Sequence, residues 1–263
     1  MENESSFFGE NLGNEIRAEK AAAVELLNEY GATCLAYKVK MQGKWLVLKR
    51  IKSEHTNNPI VQKCFDKEFE IGFGLDHPHI IKYINKGVDK EGAYILMEYV
   101  EGKTLRQHLS SSTVFSKEQI HTMVTQLFET VAYLHKKNIF HLDLKPENII
   151  ISDKTGNIKL IDFGFSYSDG QVPLHAGTKK YVLPEQNLQT KNVSLKNDLY
   201  SLGVIIIELY THKTDLSGIN KIPGNYKKVT KQCVDVNAEN YFTVEEALLI
   251  LNRKTNNTLY YYI

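Results

Sequence analysis

The chain contains 263 residues, of which 42% are hydrophobic and 24% charged, and it carries a formal net charge of +1. This length fits one large domain or two small lobes, with enough apolar material for a substantial core. The nearly neutral balance argues against a nucleic-acid or membrane-surface protein, because such binding depends on an excess of Lys and Arg.

The three cysteines, Cys34, Cys64 and Cys233, are scattered along the chain. Their number and spacing indicate neither a disulfide framework nor a zinc site, so we expect a reducing intracellular compartment. The first residues lack a signal-peptide pattern, and no apolar run is long enough to span a bilayer. We therefore expect a cytoplasmic protein.

The start of the chain predicts an arm followed by strands. Residues 1–22 are polar and then rich in Ala, Glu and Lys, which favours an N-terminal arm or a short helix. Between Val24 and Ile51 the pattern becomes that of short strands. CLAYKVK and KWLVLKRI flank MQGK, in which Gly43 suits a tight hairpin turn.

A helix and a second hairpin follow. Residues 53–60 have the composition of a loop, and residues 61–75 have a helical pattern. IIKYINKGV and AYILMEYV, separated by DKEG, then predict another antiparallel hairpin. The first hundred residues are therefore expected to form a strand-rich unit with one helix.

The second half of the chain is predominantly helical. Ser116 and Gln119 form a capping box at the start of a long helix, since each side chain satisfies a free backbone N–H. Strands return around ENIIIS and NIKLIDF, with DKTG as the turn between them. LYSLGVIIIELYTH is apolar nearly all round, which is typical of a buried helix, and Thr243 with Glu246 caps a last one.

One short segment, HLDLKPENII at residues 141–150, concentrates acidic, basic and amide side chains directly before an apolar strand. The spacing from Asp143 to Asn148 matches the H-R-D-L-x-x-x-N catalytic loop of protein kinases. Asp162-Phe163-Gly164 follows at a fitting distance. Nearly the whole chain resembles the eukaryotic-type protein kinases, and HLDLKPEN is similar to the loop of calmodulin-dependent and myosin light chain kinases.

The resemblance implies a division of roles around a transferring phosphoryl group, which is anionic and needs positioning and charge stabilisation. Asp143 would accept the proton of the substrate hydroxyl, and Lys145 would neutralise the γ-phosphate. Asn148 and Asp162 would hold two magnesium ions. The lysine after Asp-Leu is the serine/threonine-kinase form of this loop, and Thr178 in GTKKY matches the threonine beside the catalytic Asp. The alternative is that these polar residues only cap turns.

Two further residues that the resemblance requires are present. LVLK places Lys49 at the position of the lysine that grips the α- and β-phosphates. Its helix partner would be Glu68, counted back from His77-Pro78. Glu70 is the second candidate, but on a helix it would point about 200° away from Glu68. The alternative is that Lys49 and Glu68 are ordinary surface side chains.

The resemblance also implies a nucleotide pocket. YILMEYVEG looks like the hinge, with Met97 as gatekeeper and the backbone of Glu98 and Val100 reading adenine. The apolar side chains of Ala36, Val47 and Ile150 would sandwich the adenine ring, although they could equally belong to an ordinary core. Together with Lys49 and a loop glycine, the predicted ATP-binding residues are Gly31, Ala36, Val47, Lys49, Met97, Glu98, Val100 and Ile150.

Two family positions lie further along the chain. Leu183-Pro184-Glu185 stands for the Ala-Pro-Glu motif, but Tyr241 occupies the position of the Arg that normally pairs with its glutamate. Asp198 stands for the buried helix Asp that braces the catalytic loop.

The chain departs from the family in its phosphate loop and in its catalytic loop. Glu29, Gly31 and Cys34 occupy the three positions of G-x-G-x-x-G, so two of the glycines that let backbone amides approach phosphates are missing. We expect weaker ATP binding as a result. Leu142 replaces the Arg that normally pairs with a phosphorylated activation loop, so we expect activity without activation-loop phosphorylation.

A third departure concerns the predicted helix of the first unit. Gly72 lies four residues after Glu68, where the family places a bulky residue in a stack with His141 and Phe163. A glycine leaves a gap there and weakens the helix by about 1 kcal/mol. Tyr83, at the neighbouring stack position, is larger than usual and is the candidate to fill the space.

Together these features predict an α+β, two-lobed protein-kinase-like fold, with a five-stranded antiparallel N-lobe carrying one helix and a mainly helical C-lobe. The arm would cover residues 1–22, the N-lobe residues 23–101 and the C-lobe residues 102–263, with the C-lobe shortened after residue 213. The expected function is that of a monomeric serine/threonine protein kinase, a transferase that uses ATP and Mg²⁺, or Mn²⁺, on a protein Ser or Thr.

No nucleic-acid or membrane partner is expected, and the sequence leaves open secretion as an effector into a host. The rival interpretation is a pseudokinase that acts as a scaffold or allosteric module with weak nucleotide binding. The eroded phosphate loop supports the rival, whereas the joint retention of Lys49, Glu68, Asp143, Asn148 and Asp162 favours the enzyme.

Overall fold

The computed structural model describes residues 24–28, 32–168, 178–184, 194–237 and 242–253. The predicted arm and four positions named above, Glu29, Gly31, Glu185 and Tyr241, lie outside these ranges. The described part of the chain divides into two compact units. Residues up to Glu101 form the first unit together with Asp162–Gly164, and the remaining residues form the second.

The first unit contains a five-stranded antiparallel sheet with the strand order β1-β2-β3-β5-β4. The strands are β1 (Val24–Asn28), β2 (Cys34–Met41), β3 (Lys44–Ile51), β4 (Tyr83–Asp89) and β5 (Gly92–Glu98). Gln42 and Gly43 join β2 to β3 with φ angles of 48° and 76°, the left-handed conformation that tight hairpin turns require. Both predicted hairpins of this unit are confirmed.

The helix of the first unit, α1, spans Pro59–Phe73 and therefore begins two residues before the predicted start. Asn58 is its N-cap, because the side-chain oxygen accepts from the backbone N–H groups of Ile60 at 3.0 Å and Val61 at 3.3 Å. Pro59 suits the first helical position, where no backbone N–H is needed. The prediction treated this Asn-Pro pair as loop, although it is a helix-start signal.

Strand pairing assigns each side chain of the sheet to one of two faces, since directly paired residues point the same way. Met41, Leu48, Tyr94 and Leu96 form a buried cluster on one face. The opposite face carries a second set, in which Ala36 pairs with Lys49 and Met97 pairs with both Val47 and Tyr83.

The second unit is mainly helical and contains one small sheet. Its strands are β6 (Gly102–Thr104), β7 (Ile149–Ser152) and β8 (Ile158–Leu160). Its helices are α2 (Leu105–Ser110), α3 (Lys117–Lys136), α4 (Leu195–Thr211), α5 (Gly224–Cys233) and α6 (Val244–Leu251). The β7–β8 pair is the predicted hairpin, and α5 lies in the part of the chain after residue 213 in which a shortened C-lobe is predicted.

Two helices of this unit follow the predicted patterns closely. The N-terminal capping box of α3 is formed, because Ser116 and Gln119 each accept the backbone N–H of the other at 2.8–3.1 Å. Every residue of α4 from Lys196 to Leu209 is buried, as its continuous apolar character predicts. Within the described ranges, no helix combines the length and the apolar character that crossing a bilayer requires.

Candidate active site

In the first unit, Lys49 lies between two carboxylates. Its Nζ atom donates to Oε1 and Oε2 of Glu68 at 2.8 and 2.7 Å, and to Oδ1 of Asp162 at 3.2 Å. Lys49 projects from β3, Glu68 from the buried face of α1, and Asp162 from the segment that follows β8. The contact predicted between Lys49 and Glu68 is thus present.

The two carboxylates keep the Lys49 ammonium charged. Burial on its own would lower the pKa of Lys49, but Asp162 and Glu68 outweigh this effect and raise the pKa above its ordinary value. The side chain therefore presents a fixed positive charge at any pH relevant to a cell.

Asp162 is the more accessible of the two carboxylates. Its side chain is 34% exposed, whereas that of Glu68 is 3% exposed. Asp162 has a positive φ of 68°, and its Oδ1 also accepts the backbone N–H of Gly164 at 3.3 Å. This turn directs an acidic group towards solvent while Glu68 remains buried.

The predicted nucleotide-binding residues of the first unit fall on one face of its sheet. Ala36 pairs with Lys49, and Val47 pairs with Met97, so all four side chains lie on the Lys49 face. The backbone N–H of Glu98 donates to the carbonyl of Lys82 at 2.9 Å, so any backbone contact from Glu98 to a ligand must use its carbonyl oxygen.

The remaining members of that set lie elsewhere. Val100 lies in the half-buried segment after β5. Ile150, in β7, belongs to the second unit, and Gly31 lies outside the described residues.

In the second unit, the catalytic-loop residues form a connected cluster around Asp143. Lys145 Nζ donates to Asp143 Oδ2 at 2.6 Å and to Thr178 Oγ1 at 3.0 Å. Thr178 Oγ1 in turn donates to Asp143 Oδ1 at 3.0 Å. Asn148 Nδ2 donates to the backbone carbonyl of Asp143 at 2.9 Å and to its Oδ2 at 3.2 Å. Thr178, separated from the loop by more than thirty residues of chain, is thus brought beside Asp143 as predicted.

The buried carboxylate of Asp198 accepts hydrogen bonds from the start of the catalytic loop. Its oxygens accept the backbone N–H groups of His141 at 2.9 Å and Leu142 at 2.8 Å, and the Nε2 atom of His135 lies 2.9 Å away. Burial would raise the pKa of Asp198, but the contacts with His135 and the loop outweigh it and hold the pKa below its usual value. This is the bracing contact that the sequence predicted for Asp198.

Comparison with known proteins agrees with this geometry. The family model described as protein kinase domain matches residues 29–255. The chain belongs to the protein kinase family.

Individual relatives include kinases from bacteria and eukaryotes. The chain is 32% identical over 181 residues to serine/threonine-protein kinase PrkC of Bacillus subtilis, covering 66% of this chain and 27% of PrkC. It is 32% identical over 206 residues to Aurora kinase of Schizosaccharomyces pombe, covering 77% of this chain and 57% of that kinase. It is 34% identical over 190 residues to calcium-dependent protein kinase 6 of Plasmodium berghei, covering 70% and 12%.

The chain spans 27% to 30% of the length of three bacterial relatives that it matches. Membership of the protein kinase family implies the use of ATP and a divalent metal ion. The two-lobed protein kinase fold predicted from the sequence is confirmed by the family match and by the sheet and helices described above.

Each of the two units offers an oxygen donor of the kind that a hard divalent cation prefers. Asn148 commits its amide nitrogen to Asp143, which leaves the amide oxygen as the group it presents to a ligand. Asp162 contributes an accessible carboxylate. Among the described residues, no cluster of three or more His, Cys, Asp or Glu side chains is arranged to hold a metal alone. Oxygen donors from one or two side chains, completed by substrate phosphates, are the usual way in which proteins bind Mg²⁺.

Two departures from the family pattern, at Cys34 and Leu142, lie within the described residues. Burial raises the pKa of the Cys34 thiol at the start of β2, which disfavours the reactive thiolate form. Leu142 is 2% exposed and has a φ of 64°. An apolar side chain occupies this buried position, where kinases with an Arg would offer a cation to a phosphate.

Some structurally important residues were not predicted from the sequence. Arg106 donates to Glu147 at 2.8 Å and to Glu208 at 2.7 Å, and it also contacts the Tyr181 hydroxyl. The backbone N–H of Tyr181 donates to the carbonyl of Thr178 at 2.8 Å, so this network supports the segment that carries Thr178. Residues far apart in the sequence form it, and no local pattern indicates it.

Proposed function

We propose that this chain is a serine/threonine protein kinase that transfers the γ-phosphoryl group of ATP to a hydroxyl of a protein substrate. The observation that carries the proposal is the formation of two complete polar groups. Lys49, Glu68 and Asp162 form the first, and a second group surrounds Asp143 in the other unit.

Asp143 is suited to accept the proton of the substrate hydroxyl. Among the described residues, its Oδ1 atom accepts one hydrogen bond, from Thr178, whereas Oδ2 accepts from Lys145 and Asn148. A carboxylate oxygen accepts two hydrogen bonds, so Oδ1 retains capacity for an incoming hydroxyl. The fixed orientation of this carboxylate would hold that hydroxyl in line with the phosphoryl group.

The two lysines would stabilise the negative charge of the phosphates. Lys49, oriented by Glu68, would bind the α- and β-phosphates, and Lys145 would bind the transferring phosphoryl group. A divalent ion, Mg²⁺ or Mn²⁺, supplies charge neutralisation of the phosphates when it is bound. Asn148 and Asp162 would hold two such ions, as the resemblance to kinases implies, and positioned charge is the main source of rate acceleration in phosphoryl transfer.

The predicted adenine-binding residues of the first unit would line the ring from the Lys49 face of the sheet, and the role of Ile150 stays a prediction. The eroded phosphate loop lies partly outside the described residues, and weaker ATP binding stays a prediction. The pseudokinase alternative is not favoured, because both polar groups are complete and the relatives reported above are named kinases.

Activity without activation-loop phosphorylation is part of this proposal. It is supported by the apolar character of Leu142, which offers no cation to a phosphate. The hydroxyl of Ser166 is fully buried and donates to the carbonyl of His141 at 3.3 Å, so it is not presented to a phosphorylating enzyme in this conformation.

The cytoplasm is the compartment that fits this reaction, since Cys34, Cys64 and Cys233 are all free thiols. We further propose that the chain acts as a monomer on Ser or Thr of another protein and requires neither nucleic acid nor a membrane.

The test is transfer of label from γ-labelled ATP to a generic basic protein and to the chain itself, in Mg²⁺ and in Mn²⁺. We compare wild type with Lys49→Met and Asp162→Ala, and with Lys44→Met as a control on an exposed lysine of the same strand. Label incorporated on Ser or Thr by wild type and by Lys44→Met, and lost at least 100-fold in the other two variants, supports the proposal. Wild type indistinguishable from Lys49→Met and Asp162→Ala overturns it.

A further inference from the structure

Glu68 has a second partner besides Lys49. The hydroxyl of Tyr83, the first residue of β4, donates to Glu68 Oε1 at 3.1 Å. Tyr83 is 3% exposed, so the contact is buried. The carboxylate is therefore held from two sides, by an ammonium from β3 and by a phenol from β4.

Gly72 provides the recess that admits the tyrosine ring. A Cβ atom at Gly72 would lie 2.7 Å from Cζ of Tyr83 and closer still to Cδ2 and Cε2. Real Cβ atoms essentially never approach ring carbons so closely, so the ring and an alanine cannot both occupy these positions. Gly72 follows Glu68 by four residues and faces the same side of α1. The glycine that weakens the helix is thus what allows the phenol to reach the carboxylate.

A second aromatic side chain packs against the tyrosine. The rings of Tyr83 and Phe163 meet edge to face, with centroids 6.2 Å apart and planes at 67°. Phe163 is fully buried. Because Asp162 and Phe163 are adjacent, the residues that contact Lys49 and those that contact Tyr83 belong to one packed group within the first unit.

The tyrosine hydroxyl retains its proton. Burial raises the pKa of Tyr83 well above its ordinary value of 10.0, and the nearby Glu68 carboxylate raises it further. The group is therefore a hydrogen-bond donor throughout the pH range of an activity assay.

We propose that Tyr83 is a positioning residue that holds the Glu68 carboxylate against Lys49 through its hydroxyl, and that Gly72 is the matched recess on which this arrangement depends. The inference rests on the proposed kinase function, because Lys49 must bind ATP for its positioning to matter. The hydroxyl biases α1 towards the conformation in which Glu68 meets Lys49, so that conformation is favoured by the chain's own packing.

The direct test is Tyr83→Phe, which removes the hydroxyl and keeps the ring in its recess. With fewer molecules in the conformation in which Glu68 contacts Lys49, the apparent affinity for ATP falls in proportion to the fraction of molecules that remain in it. Saturating ATP draws the other molecules back into that conformation. We expect KM for ATP to rise about tenfold, equivalent to 1.4 kcal/mol, with kcat within about twofold of wild type. A residue that served only stability would instead lower the active fraction, and thus kcat, without changing KM.

Tyr94→Phe is the matched control. Tyr94 is a buried tyrosine of β5 in the same sheet, it belongs to the cluster on the opposite face, and its ring stacks on Arg50. Removal of its hydroxyl should leave KM for ATP unchanged. Thermal unfolding of all variants reports whether any of them has lost its fold.

Gly72→Ala and the double variant Gly72→Ala/Tyr83→Leu test the recess. Alanine alone collides with the tyrosine ring, so this variant should have a higher KM than Tyr83→Phe. Leucine relieves the collision without restoring the hydroxyl, so the double variant should resemble Tyr83→Phe. A double variant that is no better than Gly72→Ala overturns the assignment of Gly72 as the recess.

The outcomes separate this inference from the proposed function. If wild type transfers phosphate and Tyr83→Phe has a KM within twofold of wild type, or loses only kcat, the inference is wrong and the kinase assignment stands. If wild type transfers no phosphate, the proposed function fails, and the dissociation constant of Mg²⁺·ATP measured for the same variants decides the inference by the same tenfold criterion. Absence of both transfer and binding overturns both.

Discussion

Substitution of Asp198 by asparagine removes the charge that holds the catalytic loop without changing the size of the side chain. The carboxylate accepts three hydrogen bonds, two from backbone N–H groups and one from His135. An amide has only one oxygen, so its NH₂ group must face a buried donor, such as the N–H of Leu142. Loss of a charge-assisted hydrogen bond and an unsatisfied buried donor together cost about 3–5 kcal/mol.

Activity should fall together with stability in this variant. Leu142 has a φ of 64°, a conformation that costs about 1–2 kcal/mol for a residue with a Cβ and needs an external contact to persist. The Asp198 carboxylate supplies that contact one residue before Asp143. We expect kcat of Asp198→Asn to fall at least about tenfold, because the carboxylate of Asp143 is no longer fixed in orientation.

Urea unfolding of the full chain, followed by circular dichroism, measures the loss of stability. Steady-state phosphate transfer measures the loss of kcat. Asp153→Asn, which neutralises an exposed carboxylate in the β7–β8 turn, is the control and should change the unfolding free energy by less than about 0.5 kcal/mol. A loss below about 1 kcal/mol in Asp198→Asn, with unchanged kcat, would refute the reasoning.

The pH dependence of the same variant has a defined sign. The pKa of Asp198 is lowered in the folded chain, so its carboxylate stabilises the fold above the unfolded pKa of about 3.9. That contribution is lost as the pH falls through the lower folded pKa. The difference in unfolding free energy between wild type and Asp198→Asn should therefore be smaller at about pH 3 than at about pH 5.

Four further substitutions test activation-loop phosphorylation, a buried ion pair and close backbone packing. Ser166→Ala and Ser168→Ala should each retain activity within about threefold in a transfer assay, since no phosphate on either residue is required; a 100-fold loss would contradict this. Asp89→Asn should lower the unfolding free energy by about 3 kcal/mol, because it breaks the buried pair with Arg50, whose nitrogens lie 2.5 and 2.8 Å from its oxygens. Gly102→Ala should destabilise the chain in thermal unfolding, since its Cβ would lie 2.9 Å from a carbonyl carbon of the neighbouring strand; an unchanged midpoint would argue against this packing.

Local sequence signals were sufficient for most elements of the fold. Gly43 indicates its hairpin because a two-residue turn needs positive φ, and Ser116 indicates its helix because the capping box satisfies free N–H groups. The predicted start of α1 was wrong because the prediction did not use a local signal that was present. Asn58 and Pro59 form a start signal that the apolar periodicity alone does not contain.

The candidate site was predictable where a motif fixes both residue type and spacing. The contacts of Lys49 with Glu68, and of Asp143 with Thr178, follow from resemblance to kinases, since no local rule connects residues 19 or 35 positions apart. The hydrogen bond from Tyr83 to Glu68 was not predicted. The sequence indicated only that a large ring faces a glycine, and the reach of its hydroxyl depends on the backbone distance between β4 and α1.

Single-turnover transfer with Asp143→Asn is the most direct test of the proposed chemistry. The variant keeps the side-chain volume and its contact with Thr178 but lacks the base that accepts the hydroxyl proton. The proposal predicts a dissociation constant for Mg²⁺·ATP within about threefold of wild type, together with a loss of phosphate transfer to Ser or Thr of at least about 100-fold. Transfer at the wild-type rate by Asp143→Asn, with ATP bound equally well, would contradict it.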